Sequence, residues 1–380
     1  MRAIVASAAV LAMLFFGPTG GPVAMAQGAP VRHLAGPSAR PSADATTEPS
    51  TDATAGPSPD ATVTIIGVGD LMAHAAQLSA AHIHGVYDFA PSFGRVASTI
   101  SAADIAVGNL ETTLRASATY TGYPRFRSPT SYARALKGAG FDLLTTANNH
   151  TLDGGAYGVR FTADYLDKIG IRHTGSDNAG TAIIEHDGIR IAFIAYTYGT
   201  NGIHTPFPGA VNRLDIPAIK RAIRSARTKA DLVVVCMHWG AEYSRTPESL
   251  TKLRARGLID AGADLILGSH PHMVRPVEKY HGRYIVYSMG NFLSAMSKTY
   301  TDLGMIVSAT VTRVDGVTAV SSLKVLPTYC DRSWGQRTYT YRTVLISQAL
   351  KPGATLISEA DRTHMRAYLA YCKRVFGGLL

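Results

Sequence analysis

The sequence predicts an α/β fold, with strands and helices alternating around a layered sheet. Three observations predict it. From Ala61 onward, short apolar, β-branched runs alternate with stretches of helical spacing along most of the 380-residue chain. A hydrophobic share of 46% supplies enough apolar surface for a large core. Polar clusters also follow the apolar runs repeatedly, and strand ends are where open α/β sheets bind ligands.

The first strand covers residues 63–68 and ends in Gly69-Asp70. Residues 91–103 carry helical spacing at Phe93, Val96 and Ile100, with Pro91 where a first turn tolerates it. A second strand, 104–107, opens onto Gly108-Asn109-Leu110-Glu111. The stretch 131–140 reads as a helix stopped by Gly140, and 142–146 as a strand leading to Asn148-Asn149-His150. A helix then fits 157–168, stopped by Gly170. In the second half, 189–195 is a strand, and Asp215 caps a helix that carries Pro217 in its first turn and runs to about residue 229. The strand at 232–237 ends in His238-Trp239-Gly240. Thr246-Pro247-Glu248 starts a helix ending near Gly262, and the strand at 264–267 leads into His270-Pro271-His272. Residues 284–288 lead into Met289-Gly290-Asn291-Phe292. Two last strands, 305–312 and 317–326, turn at Asp315-Gly316. The globular part is therefore expected over 61–330, followed by a helical extension over 331–380.

The first 60 residues have a different character. Arg2, an apolar run over 3–16, helix breakers from Gly17 to Pro22 and Ala24-Met25-Ala26 read as a secretory signal cleaved before Gln27. The alternative is a retained anchor, although the apolar run is short of the about 20 residues a span needs. Residues 27–60 are mostly Ala, Pro, Ser, Thr and Gly, and read as a disordered linker. The expected location is secreted or cell-surface.

Of 37 Lys/Arg and 27 Asp/Glu, three and four fall in residues 1–60, which leaves the rest with a net charge of +11. A basic exported domain points to an anionic partner such as a wall or capsule polymer. No nucleic-acid-binding motif is present, and export argues against that partner. Cys236, inside an apolar strand, reads as a reduced core residue. Cys330 and Cys372 could pair in an oxidising compartment.

The triplet His270-Pro271-His272 is the most telling segment. In extended backbone, residues i and i+2 face the same way, so both imidazoles can converge on one point. Asp70, His74, Glu111, Asn149 and His238 add carboxylate, imidazole and amide donors at other strand ends. Such a set suits one or two divalent ions of Zn, Mn or Fe. Two ions about 3.5–4 Å apart share a carboxylate and clamp an in-line displacement, as in two-metal hydrolases. His150, near the ions but not bound to them, is then placed to protonate a leaving group. Each residue has a plainer reading. Asp70 suits a turn cap, Glu111 an arginine pair, Asn148-Asn149 a turn, His238 a hydrogen-bonded core position and His74 a polar loop.

Six segments resemble the CapA family of capsule and poly-γ-glutamate biosynthesis proteins. They are Gly67-Val68-Gly69-Asp70-Leu71-Met72, Asn109-Leu110-Glu111-Thr112, Ala147-Asn148-Asn149-His150, His238-Trp239-Gly240-Ala241-Glu242-Tyr243, Gly268-Ser269-His270-Pro271-His272 and Tyr287-Ser288-Met289-Gly290-Asn291-Phe292. The resemblance runs in order from about residue 62 to 330. It implies a calcineurin-like metallophosphatase fold, a β-sandwich flanked by helices (α/β/β/α). It also implies an exported factor for making, moving or anchoring polyglutamate-type polymer, alongside membrane-bound synthesis proteins. Against calcineurin-like phosphatases the chain departs in three places. Asp70 has no His two residues on, Glu111 stands where a bridging Asp would be, and Ser269 replaces a His common in the CapA-like triplet.

Arg125 and Arg127 around Phe126, Arg245, Glu242 and Asn291 are candidate substrate contacts, since guanidinium groups hold carboxylate or phosphate in bidentate fashion. Solvated surface positions are the plainer reading of the arginines, and Glu242 also suits a support for His238. Three functions remain open: metal-dependent hydrolase or transferase chemistry on a polymer, a secreted phosphoesterase, or a non-catalytic polyanion-binding module.

Overall fold

The computed structural model describes residues 60–116, 119–334, 339–354 and 357–380. The expected secretory signal, and the linker apart from Asp60, lie outside the described residues. The chain lays down β1 (Ala61–Leu71), β2 (Ile105–Leu110), β3 (Leu143–Thr145) and β4 (Arg172–Thr174) in a first sheet. It then crosses to a second sheet for β5 (Ala182–His186), β6 (Ile189–Thr197), β7 (Leu232–His238), β8 (Leu265–Ser269), β9 (Val277–Tyr280) and β10 (Arg283–Val286). Finally it returns to the first for β11 (Asn291–Leu293), β12 (Leu303–Val314), β13 (Val317–Trp334) and β14 (Tyr339–Leu345).

The first sheet has the order β14-β13-β12-β1-β2-β3-β4, with β11 alongside the end of β1. The second has the order β9-β10-β8-β7-β6-β5. β1 pairs in parallel with β2 and antiparallel with β12. Its sequence explains this central place. Val63 and Ile65 enter the core between the sheets, while Ile66 and Val68 face the opposite core, so both faces must be covered.

Helices cover both outer faces. Beyond the first sheet lie α1 (Ala75–Ala81), α2 (Thr130–Ala139) and α3 (Gly155–Lys168). Leu78 of α1 and Tyr132 and Leu136 of α2 pack on that sheet's outer face. Beyond the second sheet lie α4 (Ile216–Arg227) and α5 (Ser249–Asp260), which turn Ile219, Ile223, Leu258 and Ile259 inward. The result is the α/β/β/α layering expected. Local signals behave as their chemistry requires. The Asp215 side chain caps α4 by accepting from the Ala218 N–H at 3.0 Å. Gly140 stops α2 at φ +102°, and Asp315-Gly316 turn the β12–β13 hairpin at positive φ.

Three expectations need correction. Residues 91–103 form two short turns, Ala90–Phe93 and Ala97–Ile100, rather than one helix. The segment 331–380 is no helical extension. Its first part is the end of β13, and β14 pairs onto that strand. The helix α6 (Glu359–Phe376) buries Met365, Tyr368, Cys372 and Phe376 in the inter-sheet core. The helical spacing of the last 20 or so residues hid the alternating Tyr-Thr-Tyr-Arg-Thr-Val run before it. Finally, all three cysteines are free: Cys330 lies within β13 and Cys372 in α6, both buried.

At the end of β1 the backbone passes unusually close to its neighbour. A Cβ on Gly69 would lie 1.8 Å from the Gly290 carbonyl oxygen, so only glycine fits. The next residue, Asp70, donates its N–H to that same carbonyl at 3.0 Å. The turn after it is fixed by the buried Tyr132 hydroxyl, which donates to Met72 O at 3.1 Å.

Candidate metal centre

Asp70 is the next-to-last residue of β1, Glu111 follows β2, and Asn149 lies in the loop after β3. These come from the first sheet. From the second come His238, the last residue of β7, and the turn His270-Pro271-His272 after β8. The two groups meet. Asp70 Oδ2 lies 3.1 Å from His272 Nδ1, and Asp70 Oδ1 lies 4.0 Å from His238 Nδ1. His238 Nε2 stands 2.7 Å from Asn149 Oδ1 and 3.6 Å from Glu111 Oε1. All six residues are buried.

The two histidines converge by a different route from the one expected. The segment is a turn, with His270 at φ +100° and His272 at φ +55°, a left-handed region that non-glycine residues rarely occupy. Pro271 O accepts from the Tyr243 N–H at 2.8 Å, which ties the turn to the loop after β7. Strain of this kind persists only where surrounding structure holds it.

Hydrogen bonds decide which ring nitrogens are free. His272 Nδ1 faces two acceptors, Asp70 Oδ2 and Asn291 Oδ1 at 2.9 Å, so it carries the proton and leaves Nε2 as a lone-pair donor. Asn291, expected to meet substrate, is instead fully buried behind this ring and donates to Thr301 O at 2.7 Å. His238 Nδ1 lies 3.2 Å from Asn109 Nδ2, whose amide also donates to Asp70 Oδ1 at 2.8 Å. With Nδ1 accepting there, the proton of the neutral His238 ring sits on Nε2 and is donated to Asn149 Oδ1 at 2.7 Å, so an ion would take both atoms in place of that proton.

Glu111 is the telling residue. It is fully buried, neither carboxylate oxygen has a hydrogen-bond partner, and it belongs to two donor groups. One group is Asp70, Glu111 and His238; the other is Glu111, His270 and His272, with ligand atoms within 4.8 Å of one another in each. His270 Nδ1 is also buried without a partner. Unpaired buried carboxylate and imidazole are costly unless something fills the space between them. Burial first, then the charge of Asp70, pushes the Glu111 carboxyl well above its usual range. Burial would raise Asp70 too, but hydrogen bonding and charge from His272 outweigh it and hold Asp70 low. Burial pushes His238 down and His270 to about 3, so both present neutral rings. These residues fit a divalent cation.

His74 is not among them. Its Nδ1 lies 3.3 Å from the Ala295 N–H and 3.1 Å from Gln77 Oε1, and burial lowers its pKa to about 4. It forms part of the wall of a cavity of about 400 Å³ beside the donor cluster. Arg125, Asn149, His150, Glu242 and His272 line the same cavity. Arg127 does not: its guanidinium donates to the Asp153 carbonyl at 3.1 and 3.2 Å. Arg245 stacks over the Tyr300 and Tyr371 rings instead.

Sequence reasoning missed Asp153 and Tyr198. Asp153 Oδ2 accepts from His150 Nδ1 at 2.7 Å and from the Phe126 N–H at 2.6 Å, which turns His150 Nε2 towards the cavity. Its spacing, three residues after His150 in a turn, was the available signal. The Tyr198 ring lies 4.3 Å from the His270 ring. It directly follows β6, at the same sheet edge as the other clusters, but a lone tyrosine after a strand gives no distinct ligand signal in the sequence.

Comparison with known proteins adds the lineage. The chain is 34% identical over 182 residues to the PGA biosynthesis protein CapA of Bacillus subtilis, covering 44% of this chain and 46% of that protein. It is 35% identical over 180 residues to the capsule biosynthesis protein CapA of Bacillus anthracis, covering 44% of each. These matches span less than half the length of either relative. A Mycobacterium tuberculosis protein named "Probable polyglutamine synthesis accessory protein" is 26% identical over 216 residues, covering 50% of this chain and 56% of that protein. Among solved structures, the calcineurin-like phosphoesterase YfkN of Bacillus subtilis matches with a TM-score of 0.43 and 12% identity, over 83% of this chain and all of that one. The purple acid phosphatase PPD1 of yellow lupin matches at 0.36 and 10%, over 76% and 55%. The family model described as bacterial capsule synthesis protein PGA_cap matches residues 64–296, a span holding every donor discussed above. This chain belongs to the bacterial capsule synthesis protein family, PGA_cap.

Proposed function

We propose that this protein acts in the synthesis, transport or anchoring of a poly-γ-glutamate-type capsule or wall polymer, through metal-dependent hydrolase or transferase chemistry. The reading places it outside the cell or at its surface, working on an anionic polymer beside membrane-bound synthesis proteins. Family membership supports the polymer. One observation carries the chemistry: Glu111 is buried with both oxygens unpartnered and is common to two donor groups, as a carboxylate shared by two cations must be.

Asp70, Glu111, Asn149, His238, His270 and His272 would hold one or two ions of Zn, Mn or Fe. Bound there, such ions supply Lewis-acid activation of a carbonyl or phosphoryl group. The chain's own residues do the rest. His150, with Nδ1 fixed by Asp153, presents Nε2 to the cavity and can give a proton to the departing group. Arg125 brings a guanidinium to the wall, suited to the free carboxylate of an acidic chain. The edge of the Phe126 ring packs against His150 with ring centres 4.7 Å apart, which limits the imidazole's rotation and shields it from water.

The test is metal analysis of protein purified without chelator, followed by incubation with poly-γ-glutamate. Chain shortening, or transfer to an amine acceptor, should require metal and disappear in His150→Ala with metal content unchanged. Protein that neither holds nor takes up a divalent metal would refute the chemistry.

A further inference from the structure

On the outer face of the second sheet, α4 and α5 lie side by side. A Cβ on Gly257 of α5 would come 3.3 Å from Lys220 Nζ of α4, and one on Gly262 would touch Ile223 and Arg227. Both helices spend their apolar stripes on the sheet beneath. Even so, α5 leaves Leu250 54% and Leu253 69% exposed, three residues apart on its outer side.

The charges around these leucines are out of balance. Most acids of this layer are paired: Glu248 with Arg275, Asp264 with Arg227 and Arg283, Glu278 with Arg256, Asp231 with Arg190 and Asp260 with His281, while Asp215 caps α4. Lys220, Arg221, Arg224, Lys229, Lys252 and Arg254 have no ion pair or side-chain hydrogen bond among the described residues. The two helices therefore present an excess of positive charge, six unpaired cations against Asp215, with two bare leucines in it.

We propose that the α4–α5 face is a peripheral docking surface for an anionic lipid bilayer, with Leu250 and Leu253 entering the headgroup boundary and the unpaired cations facing lipid phosphates. The charges alone would suit any polyanion. The leucines decide the occupant, because a hydrated polymer gives an exposed isobutyl group nothing, whereas the acyl boundary removes it from water. Single exposed leucines are ordinary; two together among unpaired cations match an anionic surface that has an apolar boundary beneath it. Among the described residues no helix is long and apolar enough to cross a membrane. The inference stands on these helices and does not depend on the metal centre.

The test uses the full chain carrying Ser249→Cys labelled with an environment-sensitive fluorophore, since the native thiols are all buried. Phosphatidylglycerol vesicles at about 50 mM salt should shift the emission to the blue, and phosphatidylcholine vesicles should not. Adding Arg221→Glu and Arg224→Glu, or separately Leu253→Ser, should weaken the transition by at least ~10-fold. Unchanged emission with anionic vesicles would overturn the proposal, however firmly the protein sediments with them. So would the same shift produced by poly-γ-glutamate alone, which would mark a polymer site. A shift on concentrating the protein without lipid would mark self-association and overturn it too.

Discussion

Replacing Glu111 with glutamine separates the two roles of a buried carboxylate. In metal-free protein the group is fully buried, neither oxygen accepts a hydrogen bond, and Asp70 is one of its close neighbours. Burial, followed by the charge of Asp70, opposes ionisation, so the carboxyl costs stability rather than contributing it. Glutamine keeps the shape and cannot ionise, which should stabilise the metal-free fold by about 1–2 kcal/mol. With metal the order reverses. At a free ion concentration about 100 times its Kd, the wild type gains about 2.7 kcal/mol. Glu111→Gln lacks the one carboxylate common to both donor groups, and its affinity should fall at least ~100-fold. At the same ion concentration its gain is then under about 0.5 kcal/mol. At roughly 2 °C per kcal/mol for a domain of this size, the melting temperatures should cross. The variant melts higher in chelator, and the wild type melts higher in excess Zn or Mn. Thermal unfolding with and without metal, backed by titration calorimetry, reads this directly. A variant that is less stable in chelator, or that gains as much from metal as the wild type, would refute the assignment of Glu111 as a shared ligand.

Asp153→Ala should leave metal content unchanged while lowering turnover on the order of 10²-fold, because the His150 ring loses the acceptor that fixes its proton on Nδ1; steady-state kinetics beside elemental analysis checks it. Asn291→Leu strips His272 Nδ1 of one of its two acceptors and leaves Thr301 O unpaired; a loss of about 1–3 kcal/mol in urea unfolding and about 10–100-fold in metal affinity is expected. Glu248 gives a pH signature. Burial works against its ionisation, but the Arg275 hydrogen bond and the Ala241 N–H hold its pKa down at about 2, from an ordinary 4.5. A depressed folded pKa means that its stabilising contribution is fully present above pH 4.5 and is lost as pH falls through about 2. Urea midpoints measured down this window should fall less steeply in Glu248→Gln than in the wild type.

The strands were legible because the buried ones are apolar on both faces, as in β1, where Val63 and Ile65 serve one core and Ile66 and Val68 the other. Polar residues that end such runs stand out, so Asp70, Glu111, Asn149, His238 and the His270/His272 pair could be read as a group. What the sequence hid was geometry that depends on neighbours. The left-handed φ of His270 and His272 comes from a turn tied to Tyr243, and local propensity argues against it. Arg127 and Asn291 carry the right chemistry for substrate, but packing turns one to the Asp153 carbonyl and the other behind His272. Tyr198 is set by the end of β6 and gives no ligand signal. The helical spacing of α6 masks the β14 strand before it, and Cys330 and Cys372 stay free because β13 and α6 each bury their own thiol.

The chain's excursion from one sheet to the other and back has a mechanical result. The carboxylate-bearing layer and the imidazole-bearing layer are separate sheets, each ending at the same rim. A cation seated between them works as a rivet through two plates. Drawing it out would leave the ionised Asp70 beside a Glu111 carboxyl that burial keeps from ionising and that has no hydrogen-bond partner, where the plates meet. That rim, rather than the apolar interior, is where the sandwich should first gape under protease or hydrogen exchange once chelator is added.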